Sequence, residues 1–206
     1  MRDKTFLILA YPSDSSLSRE NIQHIKKILD KVAPKKATGI MLITEKFVAS
    51  GFKEFPLLSG MVIAIILLIL FIDLKNLKNM MIVFIPLVFG GTIAMGIICM
   101  SGATISILML TAFPLIFGIG IDDGVHIFHR YKETGDIVKA VSHTGRAIFL
   151  TTVTTLVGFG ALLFTNHNGL IGTGLLIGIG VALCFIFSIT ILPATLALLE
   201  KHGSIC

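Results

Sequence analysis

Charge is scarce in this chain. Only 14% of its 206 residues are Asp, Glu, Lys or Arg, against roughly a quarter in a soluble domain. Hydrophobic residues make up 54% of the chain and the mean hydropathy is +0.93. This deficit excludes an ordinary water-soluble protein and fits a membrane protein. The net charge is +5, which in a soluble protein would suggest a nucleic-acid partner. Here ten of the 17 basic residues precede Phe55, and the others sit in short segments between apolar runs. That is a soluble segment plus membrane-flanking charge, so no nucleic acid is expected. Cysteine is also sparse. Cys99, Cys184 and Cys206 show no paired spacing, so neither a disulfide framework nor a zinc site is expected. Met1-Arg-Asp-Lys-Thr-Phe6 opens a short apolar run rather than the long h-region of a signal peptide. No Ser-His-Asp order, metal-ligand spacing or nucleotide motif survives a membrane topology. No enzymatic activity, cofactor or metal is therefore expected, and His24, His167 and His202 read as surface residues.

Five long apolar runs stand against these absences. They cover about Pro56 to Ile72, Met80 to Met100, Ile105 to Phe128, Ala147 to Phe164 and Leu170 to Leu199. Each reaches or approaches the ~20 residues needed to cross a bilayer. Residues 1–55 precede them and read as water-soluble. Phe6-Leu-Ile-Leu-Ala-Tyr11 fits a buried strand closed by Pro12. Ser18 caps a helix whose Ile22, Ile25, Ile28, Leu29 and Val32 recur at helical spacing until Pro34. Thr38 to Phe47 fits a second strand. The fold class expected is mainly α: a polytopic bundle of five transmembrane helices over 56–200, an α+β (β-α-β) extracytoplasmic fragment over 1–55, and a tail over 201–206. One β-α-β unit buries too little to form a core alone, so it reads as part of a larger domain.

The connections predict orientation. Asp73 to Lys78 carries two lysines, and Arg130 to Arg146 carries Arg130, Lys132, Lys139 and Arg146. The alternate connections, Ser101-Gly-Ala-Thr104 and Thr165-Asn-His-Asn-Gly169, carry neither Lys nor Arg. The positive-inside rule places the first set in the cytoplasm, the N-terminal segment outside and the C-terminus inside. Ile137, Val138, Ala140 and Val141 suggest a short amphipathic helix on the cytoplasmic surface.

Between Asn79 and His129 the only residues formally charged at neutral pH are Asp122 and Asp123. They lie in Phe113-Pro-Leu-Ile-Phe-Gly-Ile-Gly-Ile-Asp-Asp-Gly-Val-His126. A carboxylate facing lipid costs on the order of 3 kcal/mol or more, so an intramembrane pair is a functional-site candidate. Two adjacent carboxylates in a low-dielectric site do not both ionise easily. A proton or a nearby positive charge is needed to hold them, which makes the pair a group able to load and release protons. His126 shares a helix face with Asp122 (i, i+4) and Asp123 (i, i+3), and His129 continues the stripe. The pair lies about seven residues from the cytoplasmic end of the span, roughly 10 Å deep at 1.5 Å per residue; an earlier helix end would instead leave it in the cytoplasmic interface. Gly118, Gly120 and Gly124 permit close helix packing. Without a preceding strand or a P-loop lysine, they do not make a phosphate loop. Thr151, Thr155 and Gly158 align on one face of the fourth span. The hydroxyls there bond either back to their own helix or toward the carboxylates. His143 and Arg146 precede that span as interface residues or relay members. Gly174 and Gly178 form a small-xxx-small packing face, and Pro86, Pro114 and Pro193 would kink or open their helices.

Gly118-Ile-Gly-Ile-Asp-Asp-Gly-Val-His126 in the middle of five spans resembles one half of a resistance–nodulation–division (RND) transporter, MMPL type, including the hopanoid-exporter-like members. Ala140-Val-Ser-His-Thr-Gly-Arg-Ala147, Thr151-Thr-Val-Thr-Thr-Leu-Val-Gly-Phe-Gly160 and Leu192-Pro-Ala-Thr-Leu196 match the same pattern. The five-span block is also similar to the sterol-sensing domain (SSD). The resemblance implies a proton-driven exporter of lipids or other hydrophobic compounds in a bacterial inner membrane. It places the proton relay on Asp122 and Asp123; the shared helix face adds His126 to the relay, and Thr151, Thr155, Gly118, Gly120 and Gly124 are read as supporting residues. The N-terminal segment resembles the end of a periplasmic porter domain. The expected partners are membrane lipids, a hydrophobic substrate and a missing second half, with a homo-oligomer (dimer or trimer) also compatible. Compared with the family, the chain lacks a leading span and most of a porter domain, so a truncated or split chain is expected. The alternative function is a sterol-sensing-like module that binds lipid and regulates without transport.

Overall fold

The computed structural model describes residues 27–28, 31, 40–102 and 106–201. Its long helices are α1 (Ile40–Leu74), α2 (Leu77–Met100), α3 (Ile107–Thr134), α4 (Ile137–Gly160) and α5 (Asn168–Lys201). A 3-10 turn, Ala161–Phe164, joins the last two. Each long helix carries a stretch long and apolar enough to cross a bilayer: Ala49–Leu74, Leu77–Met100, Ile107–Thr134, Ile137–Phe164 and Asn168–Glu200. Among the described residues there are thus five membrane-capable helices. The chain divides into two compact units, 1–51 and 52–206. In the first, the described residues are helical, and Lys27, Ile28 and Lys31 are exposed. The second unit is the helix bundle.

Two expectations from the sequence give way here. The second strand, expected over Thr38 to Phe47, is helical from Ile40 onward and continues into the first span. A short apolar run without alternation fits a buried strand or a helix equally. Nothing between Thr44 and Phe55 stops a helix once it has started, Gly51 being only a weak helix former there. Among the described residues there is no strand, so the β-α-β fragment is not supported. The first expected strand, Phe6 to Tyr11, and most of the helix opened by Ser18 lie outside the described residues. The separate amphipathic helix after Arg130 is also absent. Its residues are the first turns of α4, which runs unbroken from Ile137 to Gly160.

The turn between α3 and α4 explains that continuity. Gly135 ends α3 in the left-handed conformation (φ 61°), and its N–H donates to the Tyr131 carbonyl at 2.9 Å. Glycine takes this conformation without a Cβ penalty. Asp136 immediately caps α4, its carboxylate accepting from the N–H groups of Val138 (2.9 Å) and Lys139 (3.2 Å). A two-residue connection forces the helices to run antiparallel side by side. Asn76 and Ser106 cap α2 and α3 in the same way, accepting from Lys78 N–H and Met109 N–H.

In the bundle, α5 packs against α2, α3 and α4, and α3 also packs against α2 and α4. The apolar core forms two clusters. One, toward the α3–α4 turn, centres on Val83, Ile127, Phe128, Leu192 and Leu196. The other, toward the opposite end, centres on Leu87, Ile116, Phe117, Leu176 and Cys184. Residues 118–126 of α3 lie between them, and this interval contains the acidic pair.

Candidate functional site

Asp122 and Asp123 sit just past the midpoint of the 28-residue α3. The helix continues beyond them to Thr134, so an early helix end beside the pair does not occur. Successive helical residues are rotated by about 100°, since 3.6 make a turn, and this separates the two carboxylates. Asp123 is buried, 7% exposed, whereas Asp122 and His126 lie on the exposed stripe of α3. The three nevertheless meet in one cavity of about 300 Å³ between α3 and α4, lined also by Ile119, Thr144, Ile148, Thr151, Thr152 and Thr155, with Val181 of α5. The sequence-predicted carboxylates, histidine and threonines thus converge on one site.

The threonines are committed in a particular way. Thr151 and Thr152 both donate to the Ile148 carbonyl, and Thr154 and Thr155 both donate to the Thr151 carbonyl, each at 2.8 Å. A hydroxyl whose hydrogen is held by its own helix keeps its oxygen lone pairs as acceptors. Thr151, Thr152 and Thr155 therefore line the cavity as acceptors beside two carboxylates. Such a lining suits a proton carried on a carboxyl group or on water, each of which needs an acceptor. Among the described residues, neither carboxylate has a hydrogen-bond or ion-pair partner, and no three His, Cys, Asp or Glu are grouped to hold a metal.

The glycines divide by role. A Cβ on Gly120 would lie 2.9 Å from Cys184 Cβ, Cys184 Sγ and Leu87 Cδ1. On Gly124 it would lie 3.1 Å from Val83 Cγ1 and 3.2 Å from the Val83 carbonyl oxygen. These two glycines let α2 and α5 close on α3 beside the carboxylates. Gly118 meets nothing within 4 Å and lies on the exposed stripe with Asp122. A Cβ on Gly174 would lie 2.9 Å from the Phe159 carbonyl oxygen, so this glycine permits a close approach, while one on Gly178 would make only ordinary contact with Leu156.

His129 does not line the cavity of the acidic pair. Its Nε2 lies 2.6 Å from Asp73 Oδ2, joining the ends of α3 and α1. Arg146 is exposed and lines neither the first cavity nor a second one near the α3–α4 turn. That second cavity, about 400 Å³, is lined by His126, His129, Arg130, Glu133, His143, Thr144 and Ala147. The wall that α4 builds was only partly visible in the sequence. Thr144, Ile148, Thr151 and Thr155 repeat at helical spacing, but the stripe is recognisable only once α4 is known to begin at Ile137.

Fold and site together define a polytopic membrane helix bundle with an acidic pair, one member buried and one exposed, on its third helix. The chain belongs to the MMPL family, whose family model matches residues 5–205. It is 32% identical over 162 residues to putative membrane protein MJ1562 of Methanocaldococcus jannaschii, covering 73% of this chain and 40% of that protein. It is 32% identical over 149 residues to the hopanoid transporter HpnN of Rhodopseudomonas palustris, covering 68% of this chain and 17% of that one. With the sulfolipid-1 exporter MmpL8 of Mycobacterium tuberculosis it shares 26% identity over 153 residues, covering 68% of this chain and 14% of the exporter. The chain therefore spans well under half the length of these relatives.

Proposed function

We propose that this chain acts as one half of a proton-driven exporter of lipids or other hydrophobic compounds. Asp122 and Asp123 load and release the protons, and His126 exchanges protons with them. The observation that carries this reading is the acidic pair, one member buried, in a cavity of an otherwise uncharged stretch of bundle. A carboxylate held there without a cationic partner needs a proton to balance it. The hopanoid and sulfolipid relatives support a lipid-like substrate. The exposed stripe bearing Gly118, Asp122 and His126 is polar in the middle of a spanning helix. A second half, from a longer chain or a second copy, covers it, because lipid would not tolerate the carboxylate there. In this reading the α3–α4 turn faces the cytoplasm of a bacterial inner membrane, with the N-terminal residues outside and the C-terminus inside. Gly120 and Gly124 hold the carboxylates against a tightly packed wall.

The test is proton-coupled export with Asp122→Asn and Asp123→Asn in the full-length context. Each variant is expected to lower coupled flux by at least about ten-fold, the scale of losing a proton-transferring group. Intact flux in both would sink the mechanism. Lipid binding that persists in both variants, with no proton flux in the unaltered protein, would favour a sterol-sensing-like regulatory module instead.

A further inference from the structure

The second cavity shares His126, Thr144 and Ala147 with the first and lies on the side of the α3–α4 turn. His126 therefore stands at the junction, with the acidic pair on one side and the end of the bundle on the other. The titratable and charged groups around the second cavity come from two helices. From α3 they are His126, His129, Arg130 and Glu133, and from α4 there is His143. In the first cavity α5 contributes the apolar Val181. Most of these groups are already engaged. His129 is bonded to Asp73, and Arg130 pairs with Glu133 at 2.9 Å. Only His126 and His143 have no hydrogen-bond or ion-pair partner among the described residues. They stand on different helices along one cavity. At about 400 Å³ the cavity far exceeds the ~10–15 Å³ that admits one water, so water can bridge the two imidazoles.

We propose that this second cavity is the vestibule through which the acidic site exchanges protons with the cytoplasmic side, with His143 as its outer station and His126 as its inner one. Protons driven inward leave by this route, and acidification of both sides loads the site by the same steps in reverse. The proposal rests on the reading of Asp122 and Asp123 as a proton-loading pair. In the loading direction, protonated His143 gives its N–H proton to a bridging water while that water passes one to a neutral ring nitrogen of His126. Protonated His126 then gives a proton to a carboxylate, leaving a neutral imidazole and a carboxylic acid. One proton moves at each step and no other reactant is required. Arg130 remains paired with Glu133, so the vestibule is not closed to cations by an unbalanced positive charge.

The experiment uses the full chain in lipid nanodiscs and follows the carboxylic-acid C=O infrared band after a rapid pH drop from about 8 to about 5, the range over which histidine changes charge. The doubly substituted Asp122→Asn, Asp123→Asn protein assigns the band. His143→Gln and His126→Gln are each expected to slow its appearance by about ten-fold or more, to leave its final amplitude unchanged, and to regain speed when free imidazole is added. His167→Gln, at the far connection, is expected to match the unaltered protein. Unslowed band growth in either the His143 or the His126 variant overturns the route and leaves the acidic site standing. Slowing that imidazole does not relieve assigns the histidines a packing role and also overturns it. A band that never titrates, or that survives in the double Asn protein, overturns the acidic site and the vestibule with it.

Discussion

A methyl group added at Gly120 measures how closely α3, α2 and α5 must approach beside the carboxylates. In Gly120→Ala the new Cβ would stand 2.9 Å from Cys184 Cβ, Cys184 Sγ and Leu87 Cδ1. Carbon atoms in contact prefer about 3.5–4.0 Å, so the helices must part by roughly half an ångström to one ångström. Leu87 can swing its tip aside, but Cys184 Cβ is fixed to the α5 backbone. Overpacking of this kind costs about 1–3 kcal/mol. Replacing glycine by alanine within a helix returns about 1 kcal/mol of propensity. Gly118→Ala is the internal reference: it has the same chemistry two residues away, with nothing within 4 Å of the new atom. Gly118→Ala should therefore stabilise by up to about 1 kcal/mol. Gly120→Ala should be less stable than Gly118→Ala by about 1–3 kcal/mol. The propensity and unfolded-chain contributions cancel in that difference. Reversible unfolding in mixed micelles reads both. Cys184→Gly removes the Cβ and Sγ that obstruct the methyl, so in that background the penalty should shrink by about 0.5–3 kcal/mol of coupling. Equal stability of Gly118→Ala and Gly120→Ala, or no coupling to Cys184, would refute the close approach.

Two further outcomes are expected. At the α3–α4 turn the backbone N–H of Lys139, foremost, holds the Asp136 carboxyl below its usual value, with the Val138 N–H and the Lys139 ammonium adding to it. A depressed folded value means the cap contributes stability above the unfolded value of about 4 and loses it as pH falls through the lower folded value. Thermal unfolding from about pH 6 to 2 should show this acid-side loss in the unaltered protein. Asp136→Asn, which keeps a capping oxygen, should lose the pH-dependent part, and Asp136→Ala should have a lower Tm already at neutral pH. In α1, the buried Ser59 hydroxyl has no hydrogen-bond partner among the described residues. Ser59→Ala should therefore raise stability by about 1 kcal/mol, the scale of an unsatisfied buried hydroxyl removed, and a drop of that size in micelle unfolding would show that Ser59 has a partner.

The five spans were legible because their signal is cumulative. Twenty apolar residues without charge allow few structures in a bilayer, where every backbone group must be satisfied within the segment. The ends were less legible. Span three continues from Phe128 to Thr134 and span four begins at Ile137 rather than Ala147, because polar and basic side chains are compatible with a helix extending beyond the apolar layer. The segment from Ile40 to Phe47 suits a strand in sequence yet is helical, since a short apolar run has no periodicity that separates the two states. Asp122 and Asp123 stood out on charge alone. That His129 turns to Asp73 while His143 reaches the cavity beside His126 involves contacts between helices far apart in sequence, and helical spacing is silent on those.

By itself the sequence determined the class of the molecule, the number of crossings, and the one interval where charge inside the bundle must have a reason. Hydropathy and desolvation cost act residue by residue, so they can be read along a line. Only the tertiary structure decided which carboxylate turns inward and which glycines are contacts rather than open surface. It also showed that α4 supplies the opposite wall of the site. Those outcomes depend on the rotation of each helix about its axis, which is set by the side chains of its neighbours.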